Sequence, residues 1–320
     1  MIGRKATPLV GAIAAALLVL GACSSSGAKQ GSSSNTATSQ PSTSTTSPRM
    51  LPGHTSWIET FVDTSRPTVP TPGPGRSSRT LVTAVYRPNG SGPFPLIVFA
   101  HGLIGHPEKF TKLFSVWADA GFAVAAPAFP LTNSHFPKAL ANSADAVNQA
   151  ADVSFVLDKV LALAADPGNR LYHAIDETRI GAGGLSLGGF TTYEVVYGKC
   201  CRDNRIKAAE VLDGFHPSVA IDGHVPILIA HSDTDPAIPY RSAVKIFDAS
   251  HAPAWFVTLH GASHASEWEN DVTPYDHIAE RLTLDFWQAT LGGDARAFAK
   301  LRQDATVPKL SSIQAKGPAD

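Results

Sequence analysis

Cysteine is nearly absent from this 320-residue chain, which has only Cys23, Cys200 and Cys201. Three cysteines exclude a disulfide-built scaffold, so stability must come from core burial. Charge is scarce and balanced: 26 Lys and Arg stand against 27 Asp and Glu, for a net charge of -1. No basic stripe results, so nucleic acid is not an expected partner. No internal repeat is visible. The apolar share, 43%, is ordinary for a chain with a real core.

The first fifty residues differ from the rest. Arg4 and Lys5 precede an apolar run from about Pro8 to Ala22. That run falls short of the ~20 residues a spanning helix needs and reads as a secretory signal peptide, residues 1–22. It ends Leu20-Gly21-Ala22-Cys23, which resembles the lipobox of bacterial lipoproteins. The resemblance implies cleavage before Cys23, lipid on Cys23 and an extracytoplasmic, membrane-anchored protein; plain secretion is the alternative. Residues 23–50 are mostly Ser, Thr, Gly, Ala, Gln and Pro. Such a segment buries too little apolar surface to offset its ordering entropy, so it is expected to be a flexible tether.

A folded domain is expected over 51–305, followed by a C-terminal tail, 306–320. Thr80–Arg87 reads as a strand, closed by the turn signal Pro88-Asn89-Gly90. Pro95–Ala100 and Phe122–Ala126 are continuous apolar runs, as in strands buried on both faces of a parallel sheet. Further strands are expected at Arg179–Gly183, Ala208–Leu212, Val225–Ala230 and Trp255–Leu259. Helical spacing marks Glu108–Ala120, Ala139–Ala165, Phe190–Tyr197, Tyr240–Phe247 and Pro274–Leu291. Alternation of this kind predicts an α/β fold: a doubly wound, mostly parallel sheet with helices on both faces. Catalytic groups in such sheets lie at the carboxyl ends of the strands.

Four segments just after strands carry candidate chemistry. Gly184-Leu185-Ser186-Leu187-Gly188 lies between a strand and a helix, the context of a strained elbow that presents a serine. Glycines flank it because side chains two positions from the serine would meet neighbouring backbone. A serine hydroxyl needs a base in hydrogen-bond reach. His260-Gly261-Ala262-Ser263-His264 offers two histidines, and His231-Ser232-Asp233-Thr234-Asp235-Pro236-Ala237-Ile238-Pro239 offers two aspartates. His264 is preferred, because the small Gly-Ala-Ser loop can carry an imidazole over the serine. Ala100-His101-Gly102-Leu103-Ile104-Gly105 is the fourth segment. His101, His106 and His264-Ala-Ser-Glu267 form no recognised ligand spacing, so no metal or cofactor is expected.

Together these segments resemble the α/β-hydrolase superfamily across roughly residues 75–295. The resemblance implies the order Ser, acid, His along the chain, with the acid just before an apolar-Pro pair, which selects Asp235 over Asp233. The implied triad is Ser186, Asp235 and His264. The implied oxyanion donors are the backbone N–H groups of Leu103 and Leu187, with His101 holding its loop. Gly188-Gly189 and the Gly-Ala-Ser-His loop resemble cutinase-like polyester hydrolases. His-Gly-x-x-Gly and the helix Ala151–Asp158 look more like dienelactone hydrolases and platelet-activating-factor acetylhydrolases. Leu185 and Leu103 stand where the polyester enzymes often carry aromatic residues.

The implied activity is carboxylic-ester hydrolysis through an acyl-enzyme, on a small-molecule, lipid or polyester ester. A peptidase or amidase on the same fold, or a non-enzymatic surface lipoprotein, is the alternative. The expected pocket is apolar, with Ile104, Phe129 and Ile238, and Phe129–Phe136 serves as lid or wall. Cys200-Cys201 is either a vicinal disulfide or two thiols. The domain is expected to act as a monomer.

Overall fold

Strands with no polar alternation must have both faces covered, and the central strands here do. Every residue of β3 (Phe94–Ala100), β4 (Ala123–Ala128), β7 (Ile227–Ser232) and β8 (Ala254–Leu259) is buried. In this computed structural model the described residues are 50–70, 73–138, 141–217, 225–251 and 253–317. The expected signal peptide, Cys23 and all but the last residue of the tether lie outside them.

The remaining strands are β1 (Met50–Asp63), β2 (Arg79–Gly90), β5 (Ile175–Leu185), β6 (Ile206–Leu212) and β9 (Ser311–Lys316). The helices are α1 (Thr111–Asp119), α2 (Ala146–Ala165), α3 (Leu187–Tyr197), α4 (Arg241–Ala249), α5 (Asp276–Thr290) and α6 (Ala297–Asp304). Among the described residues nine strands form one sheet in the order β1-β2-β4-β3-β5-β6-β7-β8-β9. From β4 to β8 neighbouring strands are parallel; β2, β1 and β9 join antiparallel at the two margins. This is the α/β-hydrolase type of sheet that the sequence predicts.

The sheet separates two apolar layers. Side chains of α2, α3 and α4, including Val156, Leu157, Tyr193 and Ile246, fill one. Side chains of α1, α5 and α6, including Trp117, Trp287, Phe286 and Leu301, fill the other. Each fully buried aliphatic side chain of this kind contributes roughly 1.5–3 kcal/mol. A buried ion network clamps α2 to β2. The Arg79 guanidinium donates to Asp145 at 2.8 Å and 3.0 Å and to Asp152 at 2.6 Å and 2.8 Å. All three side chains are almost fully buried. Removing one partner of such a set typically costs ~3–5 kcal/mol, because a charge is left uncompensated.

The structure differs from the elements expected from sequence at several places. The expected C-terminal tail, 306–320, contains a strand: Ser311–Lys316 pairs along the whole of β8 as β9. The helix expected from Ala139 begins at Ala146. Before it lies a 3-10 turn, Ser143–Asp145, capped by the Asn142 side chain on Ala144 N–H. β1 goes unpredicted because it is an edge strand: over residues 53–63 only Phe61 and Asp63 are buried, so it carries little apolar alternation. Among the described residues no helix is long and apolar enough to cross a membrane.

Candidate active site

The order of strands reverses between β3 and β5: β4 lies on one side of β3 and β5 on the other. In parallel sheets this divergence opens a crevice beyond the carboxyl ends of the strands. Ser186 follows β5 there and Gly102 follows β3. Ser186 has φ 57° and ψ -115°, a strained backbone for a residue with a side chain. The turn closes so tightly that a Cβ on Gly188 would stand 1.9 Å from the Ala100 carbonyl oxygen. Glycine is obligatory at that position.

Ser186, His264 and Asp235 form a continuous hydrogen-bonded chain. His264 Nε2 lies 2.9 Å from Ser186 Oγ. His264 Nδ1 lies 2.6 Å from Asp235 Oδ2. Asp235 is positioned by its own loop: Oδ1 accepts the N–H groups of Ala237 at 2.7 Å and Ile238 at 2.9 Å. Its side chain is fully buried, while that of His264 is about one-fifth exposed. Asp233 lies outside this chain. It binds His260 Nδ1 at 2.8 Å and the Gly261 N–H at 2.8 Å. Those contacts and the His260 charge hold its carboxyl below the usual range despite some burial.

Several polar side chains fix the two loops. Ser232 Oγ and Thr234 Oγ1 both donate to the Ala262 carbonyl, at 2.7 Å and 2.8 Å, tying the aspartate loop to the histidine loop. Glu267 accepts from Ser263 N–H at 2.6 Å and Ser263 Oγ at 2.9 Å. His231 is a residue that motif reading passes over. Its buried ring directs Nε2 at the Ile238 carbonyl, 3.0 Å away, and 3.4 Å from Asp235 Oδ2. Burial lowers its pKa, so the ring is neutral and Nε2 carries its proton. Its position at the end of β7, one turn before Asp235, was the available signal. Asp213, just past β6, is equally buried; it accepts from Ser232 N–H at 2.8 Å and from the Trp268 indole. Burial pushes its carboxyl well above the usual range.

Of the two residues expected to give backbone donors, Leu187 directly follows the serine and Leu103 directly follows Gly102. Leu187 is the first residue of α3, where helix N–H groups have no intrahelical acceptor. Gly102 passes so close that a Cβ on it would stand 3.2 Å from Ser186 Cβ. His101 is buried between loops: Nδ1 donates to the Gly102 carbonyl at 2.7 Å and Nε2 accepts the Phe129 N–H at 3.0 Å. Burial lowers its pKa to about 4, which keeps the ring neutral and able to do both.

The pocket residues are divided. Ile104 and Ile238 are half-buried at the site loops, and Leu103 is exposed. Phe129 is fully buried against the His101 ring and faces the core, so it does not line an open pocket. Phe129–Phe136 is tied to the loop after β3 by Ile104 N–H to Thr132 O at 2.6 Å and Ser134 N–H to Gly105 O at 2.7 Å. Buried Gln149 then joins Thr132 Oγ1 to Thr191 Oγ1 on α3, at 2.8 Å and 2.6 Å. Cys200 and Cys201 are joined as a vicinal disulfide after α3.

The chlorophyllase family model matches residues 52–225, more than half of the chain. The chain belongs to the chlorophyllase family. The match runs from β1 through the β3 loop and the serine elbow, and stops before Asp235 and His264. Chlorophyllase-family membership and this sheet make the chain an α/β-hydrolase of the ester-hydrolase kind. No curated protein matches it at a significant level.

Proposed function

We propose that the protein is a serine carboxylic-ester hydrolase that works through an acyl-enzyme. The observation that carries this reading is the His264 imidazole, bonded at once to Ser186 Oγ at 2.9 Å and to Asp235 at 2.6 Å. Ser186 Oγ attacks the ester carbonyl carbon as its proton passes to His264 Nε2. Asp235 holds the imidazole by Nδ1–H and stabilises the imidazolium. The carbonyl oxygen, now negative, takes hydrogen bonds from the N–H groups of Leu187 and Leu103. Collapse of the tetrahedral species breaks the ester C–O bond, and His264 gives its proton to the departing alcohol. Water then attacks acyl-Ser186, His264 takes its proton, and the acid leaves with Ser186 reprotonated.

The matched family's name supports an ester as substrate. Ile104, Ile238 and exposed Leu103 favour an apolar acyl or alcohol group. The lipobox-like Leu20-Gly21-Ala22-Cys23 supports an enzyme tethered outside the cytoplasmic membrane by lipid on Cys23. A p-nitrophenyl ester series from acetate to palmitate, run beside matched anilides, tests the reading. Turnover of esters far above anilides is expected; anilide turnover equal to or above the ester rate overturns it in favour of an amidase.

A further inference from the structure

His106 and Glu108 stand at the start of the 3-10 turn after the β3 loop, and His135 stands on the loop that follows β4. Folding brings the three together although the sequence separates them. Glu108 Oε2 lies 3.5 Å from His106 Nδ1 and 3.5 Å from His135 Nε2. The two imidazole rings stack with centroids 3.9 Å apart. One donor atom from each residue lies within 4.8 Å of the other two. Two donors bound to one zinc at ordinary bond lengths and a tetrahedral angle stand about 3.4 Å apart. Both glutamate–histidine separations are already close to that value.

We propose that His106, Glu108 and His135 bind a divalent cation of the zinc class, with a fourth position left to water. Two imidazoles and one carboxylate suit zinc and its neighbours, whereas calcium and magnesium prefer oxygen ligands throughout. His106 is the fixed member: its side chain is 8% exposed. His135 and Glu108 are 62% and 68% exposed, which gives an ion access and lets both side chains adjust. The cost at His106 is small, since Nδ1 gives up only a 3.3 Å bond from the Glu108 N–H. The two histidines line a cleft of about 280 Å³ with Thr68, Arg76, Asn133 and Phe136, room enough for bound water.

The cation would staple two loops that the backbone already joins through Gly105 and Asn133. One of them carries Gly102, beside Ser186. Motif spacing misses the site because His135 belongs to a different loop from the other two ligands.

Isothermal titration of the full chain with zinc chloride, after chelator treatment, tests this without reference to ester turnover. One zinc per chain is expected. Affinity should fall at least tenfold in both His135→Ala and Glu108→Gln and stay unchanged in His277→Ala, an exposed histidine on α5. Zinc should raise the melting temperature of the wild type and leave that of His135→Ala unmoved. Absence of saturable binding, or equal affinity in wild type, His135→Ala and Glu108→Gln, overturns the proposal.

Discussion

Asp235 and Asp233 are two residues apart, share a loop and differ in everything that matters to the site. Asp235 is buried, accepts two backbone N–H groups and faces His264. Asp233 is partly exposed and holds His260 and Gly261 instead. Asp235→Asn leaves the shape intact but favours the wrong tautomer of His264, so kcat should fall by about 10⁴-fold. Asp233→Asn should stay within about tenfold of wild type. Steady-state kinetics on one short-chain ester separates the two; a larger loss at Asp233 would reverse the assignment. His231 adds a layer behind the acid. Its neutral ring fixes the Ile238 carbonyl next to the carboxylate, a role that no motif names and that only the packed structure displays.

At the scale of elements, the elbow between β5 and α3 holds the closest approach among the described glycines. Gly188→Ala places a methyl 1.9 Å from the Ala100 carbonyl oxygen, and backbone lies on both sides of the clash. A loss of about 4 kcal/mol or more is expected, read from the midpoint of urea denaturation. A near-wild-type midpoint would mean that β3 and α3 are less rigidly packed than they stand. The central strands were legible in sequence because burial on both faces leaves unbroken apolar runs, as in Leu96–Ala100 and Leu228–Ala230. The edge strands were not. β9 reads Ser-Ser-Ile-Gln-Ala-Lys and is recognisable only by the β8 edge it covers. α6 was missed for a related reason: its polar face outweighs the two residues, Ala297 and Leu301, that it buries. The site loops were legible because each follows a legible strand. Their supports, Gln149, Glu267 and His231, were not, because a hydrogen bond between distant segments leaves no period in the sequence.

The whole molecule holds carboxyl groups that the fold prefers protonated, and these set how its stability depends on pH. Burial, with the neighbouring charge of Asp304, raises Asp285 from 3.8 to about 7. Glu210, buried in β6 with neither carboxyl oxygen partnered among the described residues, is shifted the same way by burial. A raised carboxyl stabilises the fold fully below its ordinary value, and that contribution is lost as pH rises through the folded value. For Asp285 the loss falls between about pH 4 and 7. Asp285→Asn should therefore melt higher than wild type at pH 8 and lose that advantage at pH 4, as followed by thermal denaturation. An advantage that does not change with pH would show that Asp285 does not titrate in this window. All of this places one demand on one atom, Ser186 Oγ. Labelling the folded protein with a fluorophosphonate and mapping the adduct by mass spectrometry tests it directly. A single adduct on Ser186 is expected, lost in Ser186→Ala and in His264→Ala; a folded wild type that takes no label, or takes it elsewhere, would contradict the assignment of Ser186 as nucleophile.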